Sequence, residues 1–246
     1  HVSEPLTTTP PQELRLLFLG CESQPPYGPY EHTATLFLDL ITRALETMRA
    51  PMTYHVQIDV YHVSNHHFPP RSVLSDYQGV ILPGSFSSAY DSEPWIQELS
   101  TLIQEELVAK QRPTLGVCFG HQLYAHSFPE GGAIKCPAGP QAGRKISELT
   151  PMGQQWLNGQ TETTPTMGLQ LYYTHGDMVE RLPPQGHCLG GTKEVPIQAA
   201  IYLSSTDQKP IAITFQAHPE YASSRSLGLQ GTLNPIMKAM NDRKDI

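Results

Sequence analysis

The sequence predicts an α/β fold: an open, mostly parallel central sheet with helices on both faces. Three observations predict it. Apolar strand-like runs alternate with apolar stripes at helical spacing through the first half, the order expected of right-handed crossover units. The run at residues 14–19 (Leu-Arg-Leu-Leu-Phe-Leu) is compactly apolar, as in a strand covered on both faces. The residues with chemical potential fall just after such runs, and open parallel sheets bind ligands beyond the C-terminal ends of their strands.

Taken in order, residues 1–12 are polar and rich in Pro and Thr. Residues 1–13 are therefore read as a flexible N-terminal tail and 14–246 as a single domain. The first strand ends at Gly20 and Cys21, and a Pro-rich loop follows over 22–30. Leu36, Leu40, Ala44 and Met48 recur at helical spacing, widened by Phe37 and Ile41, in an amphipathic helix that Pro51 ends. Tyr54, Val56, Ile58 and Val60 alternate as a second strand. A third strand over 79–82 delivers Pro83, Gly84, Ser85 and Phe86. Pro94 starts a helix that carries Trp95, Leu99, Leu102 and Ile103 to about Lys110. Beyond Gly131 the pattern weakens, with short strands at 133–135 and 145–149 and a loop at 161–166. Strands at 169–173, 197–203 and 210–215 follow, and the segment 216–220 is expected to close the sheet edge. A last helix runs from about Ser223 towards Met240, with Pro235 as a kink point.

Composition narrows the function classes. The 246 residues are 39% hydrophobic and 16% charged, with a formal net charge of −7. That balance suits a folded globular chain and disfavours nucleic acid or an anionic membrane as partner. There is no apolar run of about 18 residues, so no membrane span is expected. Cys21, Cys118, Cys136 and Cys188 lie far apart with no CxxC pair, which points to a reducing compartment and a cytoplasmic location. His62, His66 and His67 share one loop, but no cysteine accompanies them and Pro69 and Pro70 follow. They are read as solvated loop histidines; neither a metal nor another cofactor is expected. The first residue is His1 rather than Met, compatible with a tag remnant or a removed leader.

The stretch Thr-Leu-Gly-Val-Cys-Phe-Gly-His-Gln, residues 114–122, has the pattern of a nucleophile elbow. A short apolar strand runs into Cys118, and a helical pattern begins at once through Leu123, Tyr124 and Phe128. Gly116 and Gly120 flank the cysteine where the backbone must crowd itself. The start of a helix favours thiolate. A buried structural cysteine is the competing reading. A cysteine nucleophile needs a base and a group that orients it. His218 and Glu220 follow a strand and stand two apart, so in extended backbone they point the same way; Pro219 between them keeps His218 out of a helix.

These motifs together carry a resemblance. Gly-Val-Cys-Phe-Gly-His-Gln at 116–122, followed by Gln-Ala-His-Pro-Glu at 216–220, resembles the class I glutamine amidotransferase family. Thr174, His175, Gly176 and Asp177, with Val179, Leu182 and Pro183 after them, resemble the corresponding family segment, and the likeness extends over about 14–221. It implies a flavodoxin-like amidotransferase fold with a small antiparallel extension. It also implies that Cys118 attacks a γ-carboxamide carbon to form a γ-glutamyl thioester, with His218 as base then acid and Glu220 orienting it. The backbone N–H groups of Gly84 and Phe119 would form the oxyanion hole, and Gln122, Thr174, Gly176 and Asp177 would line the glutamyl pocket. Asp177 suits the substrate's α-ammonium on charge alone. His121 matches a structural position. The Gly84 loop departs from the family's Gly-Pro or Gly-Gly-Pro character by reading Pro-Gly-Ser-Phe at 83–86.

Residues 83–95 resemble the stand-alone GMP-synthase-like branch that includes plant γ-glutamyl peptidases, and almost all of the chain is glutaminase-like. The expected activity is cysteine-dependent hydrolysis of a γ-glutamyl amide bond, in glutamine or a γ-glutamyl peptide. Two alternatives stay open: a glutaminase subunit delivering ammonia to a separate protein partner, and a catalytically idle binding protein. The intact Cys118, His218 and Glu220 argue against the idle form.

Overall fold

The structure, a computed structural model, describes residues 11–47, 53–157 and 168–223. Among these residues the chain forms a nine-stranded sheet and a two-stranded one. The parallel part begins with β1 (Gln12–Leu19), α1 (Tyr30–Thr47) and β2 (Tyr54–Tyr61). It continues with β3 (Gly79–Leu82), α2 (Pro94–Leu102), β4 (Thr114–Val117) and α3 (Phe119–His126). The second half runs β5 (Gly132–Lys135), β6 (Gln141–Leu149), α4 (Pro151–Leu157), β7 (Gly168–His175) and β8 (Asp177–Arg181). It then runs β9 (Gly186–Gly191), β10 (Ala199–Leu203), β11 (Pro210–Phe215) and α5 (Pro219–Ser223). The large sheet has the order β2-β1-β3-β4-β11-β10-β9-β6-β7. From β2 to β11 its pairings are parallel, and from β11 to β7 they are antiparallel.

The helices cover both faces because β1 is apolar on both. Leu17 and Leu19 point into a core with Trp95, Leu99, Leu102, Leu123 and Tyr124 from α2 and α3. Leu16 and Phe18 point the other way, against Ala34 and Phe37 of α1. The alternation is the period-2 geometry of a strand, and covering both faces is what a run such as 14–19 requires.

Several elements differ from the sequence-based expectation. Strand β1 starts at Gln12, whose N–H bonds the Thr53 carbonyl at 2.9 Å, so pairing with β2 draws in two polar residues. Helix α2 continues as a π-helical turn, Ile103–Val108, inside the span expected to be helical. Strand β7 runs on through Thr174 and His175. The elements α4, β8 and β9 were not foreseen, because their residues carry no clear apolar period. Segment 216–220 does not close an edge: β11 lies between β4 and β10, in the middle of the sheet. Met48, Pro51, the loop at 161–166 and the helix from Ser223 to Met240 with its Pro235 fall partly or wholly outside the described residues. No described helix is long and apolar enough to cross a membrane.

The elbow depends on small residues at a close approach. A Cβ on Gly120 would lie 2.1 Å from the Leu82 carbonyl oxygen, and one on Gly116 would lie 2.7 Å from Thr214 Cγ2. The first turn of α3 thus rests directly on the end of β3, where the Gly120 N–H donates to the Pro83 carbonyl at 3.1 Å. Gly120→Ala is expected to destabilise the protein by roughly 2 kcal/mol or more, since the obstacle is backbone rather than a movable side chain. A shift in the urea midpoint measures it.

Candidate active site

Cys118 sits between β4 and α3 with φ 52° and ψ −106°, a conformation that L side chains rarely adopt. Its N–H still bonds the Phe215 carbonyl of β11 at 2.8 Å, and its own carbonyl accepts from Gln122 N–H at 3.1 Å. The cysteine is therefore pinned from both sides while its thiol is turned out of the strand. The thiol is buried, 4.0 Å from the Thr174 carbonyl oxygen.

His218 lies just beyond β11 and is fully buried. Its Nδ1 is 2.7 Å from Glu220 Oε1, and its ring stacks flat on Tyr221, with centroids 4.3 Å apart. Glu220 reaches it from the first turn of α5, not from extended backbone as the sequence suggested. The Pro219 that bars His218 from the helix also opens that helix. The His218 N–H bonds the Tyr172 carbonyl of β7 at 2.8 Å, which anchors the junction. Burial opposes a charge on the imidazole, but the Glu220 carboxylate and the Cys118 thiol outweigh it and push its pKa up to about 10.

Gly84, at the end of β3, meets both groups. A Cβ there would sit 3.1 Å from His218 Cε1 and 3.5 Å from Cys118 Cβ. Phe119 is the first residue of α3; its ring is buried against Trp95, which leaves its backbone N–H as the group that can act. The loop after Gly84 is held in place. Phe86 N–H donates to Glu22 Oε2 at 3.2 Å, and the Phe86 ring packs edge-on against Tyr27 at 4.8 Å.

A cavity of about 260 Å³ opens over the thiol. Cys118, Gln122, Thr174, Gly176 and Asp177 line it, so the structure brings these sequence-predicted residues together. Gln122 Nε2 donates to the Asp177 carbonyl at 2.9 Å and to Gln216 Oε1 at 3.1 Å, so this amide braces the pocket wall. The Asp177 carboxylate accepts from Ser88 Oγ at 2.6 Å and Tyr90 OH at 2.9 Å. His218, Glu220, Gly84 and Phe119 do not line the cavity; they lie behind or beside the thiol.

Two other histidines behave differently. His121 lies between Thr214 Oγ1 at 2.7 Å and the Ile197 carbonyl at 3.2 Å, and burial pushes its pKa down to about 4. That suits a structural role. His175 bonds the Asp177 carbonyl at 2.8 Å, and burial holds its pKa down at about 3. The loop histidine His62 pairs with Glu31 at 3.0 Å and stacks on Tyr30.

Sequence reasoning missed Tyr27, Ser88, Tyr90 and Lys135, which also line the cavity, and Tyr221 behind it. All but Lys135 and Tyr221 lie in loops with no periodic pattern. The only available signal was the position of two of those loops, directly after β1 and β3.

Comparison with known proteins gives the family and the fold. A profile of the family described as "Glutamine amidotransferase class-I" matches residues 37–228. The chain is 28% identical over 166 residues to gamma-glutamyl peptidase 2 of Arabidopsis thaliana, covering 67% of this chain and 62% of that protein. It is 32% identical over 171 residues to the glutamine-hydrolyzing GMP synthase of Porphyromonas gingivalis, covering 69% and 30% respectively. The chain thus spans less than two thirds of the length of these curated relatives. In fold it is similar to a glutamine amidotransferase from Thermotoga maritima, with TM-score 0.65 and 17% identity over 94% of this chain and 85% of that one. It is also similar to a glutamine amidotransferase from Methylobacillus flagellatus, with TM-score 0.56 and 21% identity over 85% and 70%. With the family profile covering most of its length, the chain belongs to the class I glutamine amidotransferase family.

Proposed function

We propose that this protein hydrolyses a γ-glutamyl amide bond, in glutamine or a γ-glutamyl peptide, through a thioester on Cys118. The observation that carries the reading is the convergence at Gly84, where a Cβ would touch both His218 Cε1, at 3.1 Å, and Cys118 Cβ, at 3.5 Å. The Cys118 thiol, which lines the cavity, and an imidazole held by a carboxylate behind it then both pack against one residue just beyond β3. His218, charged at neutral pH, holds the proton that Cys118 gives up, and the Cys118 thiolate attacks the γ-carboxamide carbon. The oxyanion that forms is met by the Gly84 and Phe119 N–H groups. Such a donor commonly contributes about 3 kcal/mol, on the order of a hundredfold in rate. The tetrahedral adduct expels ammonia or an amine, which takes its proton from His218. Water then attacks the thioester with His218 again as base, releasing glutamate and the free thiol. Glu220 fixes the ring orientation throughout. The Asp177 carboxylate, held by Ser88 and Tyr90, takes the substrate's α-ammonium, and Thr174 and Gly176 complete the wall around it. A cytoplasmic location suits four cysteines that are all free.

A second reading has its own observation. The 32% identity to GMP synthase covers only 30% of that protein, so this chain also fits a glutaminase component that passes ammonia to a separate protein partner. Steady turnover of a γ-glutamyl substrate by the isolated chain supports the hydrolase; turnover only when a second protein is added supports the subunit.

Cys118→Ala should lower turnover on the order of a thousandfold or more while circular dichroism and the melting curve stay near wild type. Turnover that survives the substitution overturns the thioester route.

The His218 pKa adds a test by pH. It rises from the ordinary 6.5 to about 10 in the folded protein, so its stabilisation is fully present below about pH 6.5 and is lost as pH climbs towards 10. The thermal midpoint should therefore fall across that window, and fall less steeply in Glu220→Gln, which lacks the carboxylate that holds the charge. Parallel curves for the two proteins would refute the assignment.

A further inference from the structure

The cavity over Cys118 is chemically asymmetric in a way the proposed reaction does not require. Among the residues lining it, Asp177 is the one carboxylate and Lys135 the one ammonium. His175 adds no charge there, because burial keeps it neutral. These two side chains come from β8 and β5, which pair antiparallel with Lys135 directly opposite Asp177. Directly opposed residues leave a sheet on the same face with their Cβ atoms about 5 Å apart. The backbone pairing therefore sets one positive and one negative group side by side on a wall of the pocket.

The pair is not spent on itself. Among the described residues Lys135 makes no ion pair, either with Asp177 or with another carboxylate. The Asp177 oxygens accept from two hydroxyls, Ser88 and Tyr90, which orient the carboxylate without neutralising it. A carboxylate has about four acceptor positions, so room for a further donor remains.

We propose that Lys135 and Asp177 together read the α-amino-acid end of the substrate, Asp177 taking the α-ammonium and Lys135 the α-carboxylate. The inference rests on the γ-glutamyl reading above and deepens it by assigning Lys135 to the free α-carboxylate that glutamine and γ-glutamyl peptides both carry. Ammonium and carboxylate sit on one carbon in such a substrate, which matches two opposite charges placed on directly opposed residues. A carboxylate on the leaving-group side would not need its cation beside Asp177. Lys135 is an exposed residue whose side chain lines the pocket beside Asp177.

Binding to a Cys118→Ala background tests this without turnover. Three probes are titrated by calorimetry: γ-L-glutamyl anilide, its α-carboxamide, and γ-L-glutamylglycine, which carries a second carboxylate on the leaving side. Lys135→Gln should weaken the anilide and the glycine conjugate about tenfold, as expected for losing one charge-assisted contact, and leave the α-carboxamide unchanged. Lys135→Arg should restore most of the loss. In the active protein, Lys135→Gln should raise KM by a similar factor with kcat nearly unchanged. Loss confined to γ-L-glutamylglycine assigns Lys135 to the leaving side and overturns the proposal. Equal loss for acid and α-carboxamide, no loss, or no binding of the anilide by the Lys135 protein also overturns it. If the α-carboxylate preference holds while wild-type protein hydrolyses no γ-glutamyl substrate, it is the hydrolase reading that fails, not the recognition.

Discussion

The structure depends on one steric constraint, the approach of the first turn of α3 to the end of β3. Gly120 lies so close to the Leu82 carbonyl that no side chain fits between them, and Gly116 meets Thr214 of β11 with little more room. Only at that separation can the chain leave β4, pass through the positive φ of Cys118 and enter the helix within one residue. The strain at Cys118 is compatible with a stable protein because its N–H and carbonyl both keep their hydrogen bonds. What the constraint produces is position: a thiol at the C-terminal end of a central parallel strand, between the loops that leave β3 and β11.

Beside the apolar packing of the elbow, a set of polar contacts ties the two halves of the sheet together. His121 joins α3 to β11 and the segment before β10, Gln122 joins it to β8 and the end of β11, and the His218 backbone joins β11 to β7. Buried polar groups of this kind are costly unless paired, so each such bond also restricts how the antiparallel strands can lie against the parallel ones. The pocket wall that carries Asp177 and Lys135 is thereby held in fixed relation to Cys118.

The three buried histidines separate by their neighbours. His121 and His175 face neutral oxygens, and burial drives them to about 4 and about 3. His218 is no less buried, yet the Glu220 carboxylate and the Cys118 thiol reverse the outcome and lift it to about 10. Tyr221 stacked on its ring suits a charged imidazole, since an aromatic face attracts a cation. One fold thus keeps two imidazoles as neutral struts and one as a charged group beside the thiol. The difference lies in the Glu220 carboxylate two residues away and the sulfur of Cys118.

The sequence by itself determined the elements with local causes. The alternation in β1 and β2, the apolar stripe of α1 and the glycines about Cys118 predicted the parallel core and the elbow, because period and steric crowding are written in neighbouring residues. Cys118, Gln122, Thr174, Gly176 and Asp177 line one cavity together, a grouping that only the resemblance to the family implied and no local pattern could give. Only the tertiary structure decided the rest. Segment 216–220 lies mid-sheet because β10 pairs with β11 on its far side, a long-range choice with no local signature. Glu220 reaches His218 through a helical turn, since Pro219 serves both to end the extended chain and to start α5. Tyr27, Ser88 and Tyr90 enter the site from loops, and Lys135 enters it through its register with Asp177. Register is set by the pairing of distant strands, so no reading of residues 132–135 alone could have placed that charge.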